Sequence, residues 1–100
     1  MELPKLDFVT TEEMLQISQV SVNSLYLWVG RGLLPTPSAS SDGFRGLRIR
    51  WPLEARDRAR FVVEKRAEGV SLDRIRELVF ARWGPPTDED IRRREHLRRL

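Results

Sequence analysis

Residues 20–35 read VSVNSLYLWVGRGLLP, and this stretch decides the fold. Ser21 can cap the start of a helix, because its hydroxyl accepts a hydrogen bond from a free backbone N–H. The apolar residues that follow at helical spacing are Leu25, Trp28 and Val29. Gly30 and Gly32 can end the helix. The stretch therefore predicts a helix over about Val22–Arg31, and the following Leu-Leu-Pro leaves it as an extended segment.

A second short helix is predicted just before this one. Residues 10–17 read TTEEMLQI, in which Thr10 and Glu13 fit a capping box. We expect this helix to begin near Thr11 and to end near Ser18, where a tight joint of three residues follows. Two short helices joined in this way form a helix-turn-helix, a motif that presents its second helix to the DNA major groove.

The segment after the helix-turn-helix predicts a β wing. Residues 36–42 are small and polar, which is typical of a mobile loop tip, and Ser41-Asp42-Gly43 is a turn signal. From Phe44 to Trp51 apolar and basic side chains alternate, as they do in a half-buried strand. The apolar ones are Leu47, Ile49 and Trp51, and the basic ones between them are Arg48 and Arg50. We expect a Gly43–Arg50 wing that offers arginines to solvent or phosphate.

Three more helices are predicted downstream. Pro52 suits the first turn of one helix, and Gly69 can end it. The expected ranges are Leu53–Glu68, Leu72–Trp83 after a Ser71 cap, and Asp88–Arg99 after a Thr87 cap. The last helix has few apolar residues, so we expect little hydrophobic packing from it. The predicted fold is mostly α, with a winged helix-turn-helix over residues 1–84. A C-terminal helix, or the start of a dimerisation segment, follows over residues 85–100.

The composition excludes several classes of function. The chain has 100 residues, which suffices for one domain, and it lacks cysteine, so it has no disulfide, thiolate metal site or cysteine nucleophile. His96 is the only histidine, and no serine has a base suitably placed. We therefore expect no enzyme, metal site, cofactor or small-molecule effector site. No apolar run reaches the roughly 18 residues of a membrane span, and no signal peptide is recognisable. A cytoplasmic protein is expected.

The charge is unevenly distributed along the chain. Residues 1–42 carry two basic and five acidic side chains, whereas residues 43–100 carry 16 basic and 10 acidic ones. A basic segment favours an anionic partner. The wing and the helix after it, rather than the second helix, should therefore supply most of the attraction to phosphate.

Three blocks of the sequence resemble the DNA-binding domain of the MerR (mercury-resistance regulator) family. The second helix of that family reads Gly-Val-Ser-x-x-Thr-Leu-Arg-Tyr-Tyr-Glu-x-x-Gly-Leu-Leu-x-Pro. The matching residues here are Val20, Ser21, Leu25, Gly32, Leu33 and Leu34, with Ser24 at the threonine position. The wing signature Gly-Tyr-Arg appears as Gly43-Phe44-Arg45, and Gly-Phe-Ser-Leu-x-x-Ile appears as GVSLDRI at residues 69–75. The resemblance covers Thr10 to about Val79.

This resemblance implies a MerR-type winged helix-turn-helix with four to five helices and a short two-stranded wing. It also implies sequence-specific binding of double-stranded DNA, with the second helix in the major groove and the wing on the backbone. The implied contacts on the recognition helix are Ser21, Asn23, Ser24, Tyr26 and Leu27. On the wing the resemblance implies Phe44 and Arg45. The alternation along the strand adds Arg48 and Arg50, and the basic helix that follows adds Arg56. By their own chemistry, asparagine can read adenine and tyrosine or serine can hold phosphate.

The sequence also departs from the family pattern. Tyr26 stands where the family has an arginine, and Ser38 or Ala39 stands where another arginine is usual after the helix exit. Two expected cationic contacts are therefore missing. A protein-interaction module with weak or no DNA binding stays open as an alternative, as does an excisionase-like architectural DNA-binding protein.

The resemblance leaves the assembly and the extent of the protein open. A bacterial, nucleoid-associated regulator is expected, either as an effector-less or as a truncated member of the family. It could act on DNA as a homodimer or as a head-to-tail oligomer.

Overall fold

The computed structural model describes residues 7–41 and 47–100, and within them it is mostly helical with one small antiparallel sheet. The elements in chain order are α1 (Thr11–Ser18), α2 (Val22–Gly30), β1 (Ser38–Ser41), β2 (Leu47–Arg50), α3 (Glu54–Ala67), α4 (Leu72–Trp83) and α5 (Asp88–Arg99). The predicted helices are confirmed to within one residue at each end.

Side-chain caps fix the residues at which α1 and α2 begin. The Thr10 hydroxyl accepts the Glu13 N–H at 3.1 Å, and the Ser21 hydroxyl accepts the Ser24 N–H at 3.2 Å. Between the two helices, Gln19 takes a left-handed conformation with φ of 56°, and its N–H bonds to the carbonyl of Leu15. This one residue makes the sharp change of direction, so only three residues separate the end of α1 from the start of α2.

The segment predicted as a polar loop tip is partly a strand, which corrects that prediction. Ser38–Ser41 forms β1 and pairs antiparallel with β2, with Ser38 opposite Arg50 and Ser40 opposite Arg48. Serine and alanine have little β propensity, but the ladder hydrogen bonds to β2 satisfy their backbone groups. We call the paired strands β1 and β2 the ribbon. Because the pairing puts both serines on the same face as the two arginines, one face of the ribbon is polar.

Trp51 joins the helix-turn-helix to the end of β2. Its side chain is fully buried, and its backbone N–H and C=O both bond to Val9. The indole Nε1 donates to the Thr11 hydroxyl at 3.1 Å, and the ring lies 6.0 Å from that of Tyr26. One side chain therefore fixes the start of α1 and the middle of α2 relative to the ribbon.

The hydrophobic core lies between α1, α2, α3 and α4. Among the described residues, the buried apolar side chains are Val9, Met14, Leu25, Trp28, Val29, Leu33, Leu34, Trp51, Ala55, Ala59, Val62, Ile75 and Val79. Trp28 and Trp51 belong to it, as the spacing predicted. Ile49 packs on its edge, so the apolar side of β2 faces inward and the arginine side faces outward.

Polar contacts hold α5 in place, although it buries no residue. The Asp90 carboxylate accepts the Thr36 N–H at 2.9 Å, and the Arg93 guanidinium donates to the Thr36 carbonyl at 3.3 Å. His96 Nε2 lies 3.0 Å from the carbonyl oxygen of Ala39. These side chains therefore contact the backbone of Thr36, just before β1, and of Ala39 within it. Helix α5, for which the sequence predicted little apolar packing, is thus held in place by hydrogen bonds.

We expect acid to weaken this docking through Asp90. Burial alone would raise the pKa of Asp90, but the hydrogen bonds from Thr87 and Thr36 and the charge of Arg58 outweigh it and lower the pKa below its ordinary value. A carboxylate with a lowered folded-state pKa contributes stability above the unfolded-state pKa of about 3.9. That contribution is lost as the pH falls through the folded-state value.

Asp90→Asn should lower the free energy of unfolding at pH 7 by about 1–2 kcal/mol, because an amide N–H would face the Thr87 N–H that now donates to a carboxylate oxygen. Urea denaturation between pH 7 and 3 measures both the lower stability of the variant at pH 7 and the loss of stability on acidification. The variant should lose less stability than the wild type on acidification. Equal losses in the two proteins would contradict the assignment to Asp90. Glu95→Gln, an exposed position on the same helix, serves as the control.

Candidate nucleic-acid interface

Helix α2 separates a buried side from an exposed side. Leu25, Trp28 and Val29 face the core, as predicted. On the other side Leu27 is 63% exposed and Val22 is 43% exposed, and Asn23 is exposed next to them. Asn23 and Leu27 are four residues apart, so they lie on one face of the helix. The second helix therefore presents one amide and two apolar side chains to solvent.

The two serines at the start of α2 are already used in its cap. Ser21 Oγ accepts the Ser24 N–H and also donates to the Ser24 hydroxyl, both at 3.2 Å. The cap leaves the first backbone N–H groups of α2 at an exposed helix N-terminus, where an anion is favoured. Ser21 and Ser24 thus position the start of α2. A phosphate contact at this helix start would be made by the backbone N–H groups.

Tyr26 is half-buried against the core rather than fully exposed. Its ring packs at 41° to that of Trp51. Burial raises the pKa of Tyr26 above its ordinary value, so the phenol stays protonated at neutral pH. A protonated phenol can donate one hydrogen bond to a phosphate oxygen, but it brings no charge. Tyr26 can therefore offer a phosphate one hydrogen bond but no positive charge.

The two arginines of β2 supply positive charge on one face of the ribbon. Arg48 and Arg50 are both exposed and lie on the polar face of the ribbon with Ser40. The Arg50 guanidinium stacks 4.8 Å above the ring of Phe8, which restricts its position. Phe44 and Arg45, the other two predicted contacts of the wing, lie outside the described residues.

Arg56 occupies a different place from the ribbon arginines. Its guanidinium forms a two-pronged ion pair with the Glu13 carboxylate, with nitrogen–oxygen distances of 2.9–3.1 Å, and both side chains are 38% exposed. The pair joins α1 to α3. A phosphate contact by Arg56 would have to compete with Glu13, which weakens the case for this residue.

Sequence reasoning missed the contacts that hold the C-terminal end of α2. Arg94 of α5 donates to the carbonyl of Val29 at 2.6 Å, and the Arg66 guanidinium lies 5.6 Å from the centre of the Trp28 ring. Helix α2 has no basic residue in its last turn, so Arg94 supplies from 65 residues away the cation that favours a helix C-terminus. The arginine-rich run of α5 was visible, but its target was not.

No family model, curated protein or solved structure matches this chain. Within residues 7–41 and 47–100, no group of three or more His, Cys, Asp or Glu side chains could hold a metal ion. No helix in that part of the chain is long and apolar enough to cross a membrane.

Proposed function

We propose that this chain binds double-stranded DNA in a sequence-specific manner, as a transcriptional regulator of MerR type. On this proposal α2 enters the major groove and the β1–β2 ribbon lies on the neighbouring backbone. The observation that carries it is the exposed face of α2, which follows α1 after a three-residue joint and is linked through the Tyr26–Trp51 ring contact to a ribbon with two outward arginines. A nucleoid-associated place in the bacterial cytoplasm follows from this function.

The electrostatics favour the ribbon as the phosphate-binding part. Neutralising a phosphate releases counterions, so each cationic contact strengthens binding and adds to its salt dependence. Arg48 and Arg50 are the described cations that the ribbon offers, and Arg45 follows from the family resemblance. Because α2 carries no charged side chain, it contributes base contacts and the partial positive charge of its N-terminus.

Fluorescence anisotropy with a random pool of short duplexes, at about 50 and 200 mM salt, tests the proposal. Selection and sequencing of the bound fraction would follow. A steep loss of affinity with salt together with an enriched motif would support a specific DNA reader, and the symmetry of the motif would separate a two-fold dimer from a head-to-tail oligomer. Salt-sensitive binding without a motif would favour the architectural alternative. No binding at the lower salt would contradict DNA binding.

Arg48→Ala should weaken binding to all duplexes alike and reduce the slope of log affinity against log salt by about one. The reason is that one phosphate contact is lost while the base contacts of α2 remain. Arg74→Ala is the matched control, because Arg74 is an exposed arginine on α4, where it pairs with Glu77 at 2.7 Å. Equal slopes for the wild type and Arg48→Ala would remove Arg48 from the interface.

A protein-interaction module is the second candidate, and the exposed apolar residues of α2 favour it. Leu27 and Val22 would then form the centre of a docking surface, and the ribbon arginines would meet an acidic partner. Under this reading Leu27→Asp should abolish capture of the partner, whereas the chain should bind no duplex even at low salt.

A further inference from the structure

The nine residues of α2 lack the side chains that most often read guanine. The helix reads VNSLYLWVG, with no lysine or arginine, and its neighbour Arg31 follows at the far end. Arginine or lysine on guanine O6 and N7 is the commonest specific contact in the major groove. A recognition helix without either residue must obtain its specificity from other base edges.

The exposed side chains of α2 fit the edges of A·T base pairs. An asparagine amide can donate to adenine N7 and accept from adenine N6–H2, and an apolar side chain can contact the C5-methyl group of thymine. Asn23 provides the amide, and Leu27 provides the most exposed large apolar side chain among the described residues. Val22 adds a second, less exposed apolar group at the start of the same helix.

The spacing of these side chains suits neighbouring base pairs. A helix rises about 1.5 Å per residue, so Asn23 and Leu27 lie about 6 Å apart along α2. Base pairs are stacked about 3.4 Å apart. The two side chains would therefore reach base pairs about two steps apart when the helix lies along the groove.

The surroundings of α2 leave this face open. Leu25, Trp28 and Val29 are committed to the core, and Tyr26 is packed on Trp51, so neither set competes for the bases. The caps at Ser21 and Arg94 hold the two ends of the helix. Asn23 and Leu27 thus stand on a fixed helix, which reduces the entropy lost when they contact a base.

We propose that α2 reads A·T base pairs, with the Asn23 amide on adenine and the Leu27 side chain on the methyl group of thymine. This inference rests on the proposed DNA binding and specifies the bases that it recognises. It predicts that the enriched motif contains A·T pairs about two steps apart, where α2 lies.

Replacing thymine by deoxyuridine tests the inference, because the two bases differ in the major groove only by the methyl group. Each thymine of the best selected duplex is replaced in turn, and the affinity of the full chain is measured by anisotropy. One position should lose about three- to fivefold in affinity, the value expected for one buried methyl-sized group.

The Leu27→Ala variant identifies the side chain responsible. In it the thymine–deoxyuridine difference at that position should disappear, since the alanine methyl lacks the three outer carbons with which Leu27 would reach the base. Leu27 is exposed, so the fold should tolerate the change. Leu53→Ala is the matched control, because Leu53 is 52% exposed and lies just before α3 rather than on α2. The control should keep the full difference.

The outcomes separate the inference from the function on which it rests. No binding of any duplex would overturn the proposed DNA binding itself. Binding without a motif, a motif of G·C pairs only, or a thymine effect unchanged in Leu27→Ala would each overturn the A·T reading and leave DNA binding in place. Asn23→Ala should in addition relax the preference for adenine at one position, and an unchanged preference would remove Asn23 from the interface.

Discussion

Trp51→Ala should lower the free energy of unfolding by about 3–5 kcal/mol, the largest effect we expect from a single change. The side chain is fully buried at the meeting point of α1, α2 and β2. Removing it leaves a cavity of indole size, and the Thr11 hydroxyl loses the hydrogen bond that it now accepts from the indole N–H. A domain of this size has a total stability of about 5–15 kcal/mol, so the variant should be largely destabilised.

Trp51→Phe separates packing from hydrogen bonding at the same position. A phenyl ring keeps most of the apolar volume but cannot donate to Thr11, so we expect a loss of about 1–2 kcal/mol. Urea denaturation followed by far-UV circular dichroism measures both variants. A Trp51→Ala stability within about 1 kcal/mol of the wild type would show that the site collapses onto the cavity and that Trp51 does not join the three elements.

The folded Trp51→Phe variant also connects this position to the candidate interface. Tyr26 packs on Trp51, and Asn23 and Leu27 lie on the same helix. If the ring contact fixes α2 and the proposed DNA binding holds, the phenylalanine variant should bind the selected duplex more weakly with an unchanged salt slope, because the change does not touch the ribbon arginines. A reduced slope would instead indicate that the ribbon has moved.

The helix boundaries could be predicted because their causes are local. Thr10, Ser21, Ser71 and Thr87 each accept a backbone N–H three residues ahead. Such a cap depends only on the residue type and on the next turn of the chain. The inward and outward faces of α2 were predictable for the same reason, since helical periodicity is a property of the segment itself.

Contacts between distant segments could not be predicted. The strand of Ser38–Ser41 depends on pairing with β2, and its own composition indicates a loop. The docking of α5 depends on the backbone groups of Thr36 and Val29, and backbone groups leave no pattern in a sequence. Glu13 shows the same effect: it fits a capping box, yet its carboxylate oxygens bind Arg56, which lies 43 residues away.

The candidate site likewise has some features that the local sequence predicts and others that depend on tertiary contacts. The exposure of Asn23 and Leu27 follows from periodicity, and the outward direction of Arg48 and Arg50 follows from alternation along β2. The packing of Tyr26 on Trp51 and the pairing of Arg56 with Glu13 required the tertiary structure. The proposed base contacts rest on side-chain chemistry and on the predicted family resemblance, and the thymine experiment tests them directly.

Gly32→Ala should cost clearly more stability than Gly69→Ala, although the two glycines have the same backbone role. Each follows a helix with a positive φ, 81° at Gly32 and 85° at Gly69, and each takes part in the paired hydrogen bonds of a Schellman motif. The surroundings differ. An added Cβ at Gly32 would lie 2.9 Å from Cε1 of Phe80, whereas one at Gly69 would meet nothing within 4 Å.

The expected losses of stability follow from the left-handed backbone conformation and from the contact with Phe80. A left-handed conformation costs an alanine about 1–2 kcal/mol, and this is the whole effect expected at Gly69. At Gly32 the displacement of Phe80 adds an overpacking cost of about 1–3 kcal/mol. Thermal and urea denaturation of the two variants measure the difference.

The Phe80→Leu change provides the decisive comparison. If the extra cost at Gly32 comes from the aromatic ring, the double variant Gly32→Ala/Phe80→Leu should be more stable than the sum of the single losses predicts. Additive losses, or equal losses for Gly32→Ala and Gly69→Ala, would show that Phe80 moves aside freely. A coupling energy at this pair would mean that the C-terminal end of α2 is held by α4 as well as by Arg94, so the orientation of the exposed face of α2 would depend on packing beyond the end of the helix.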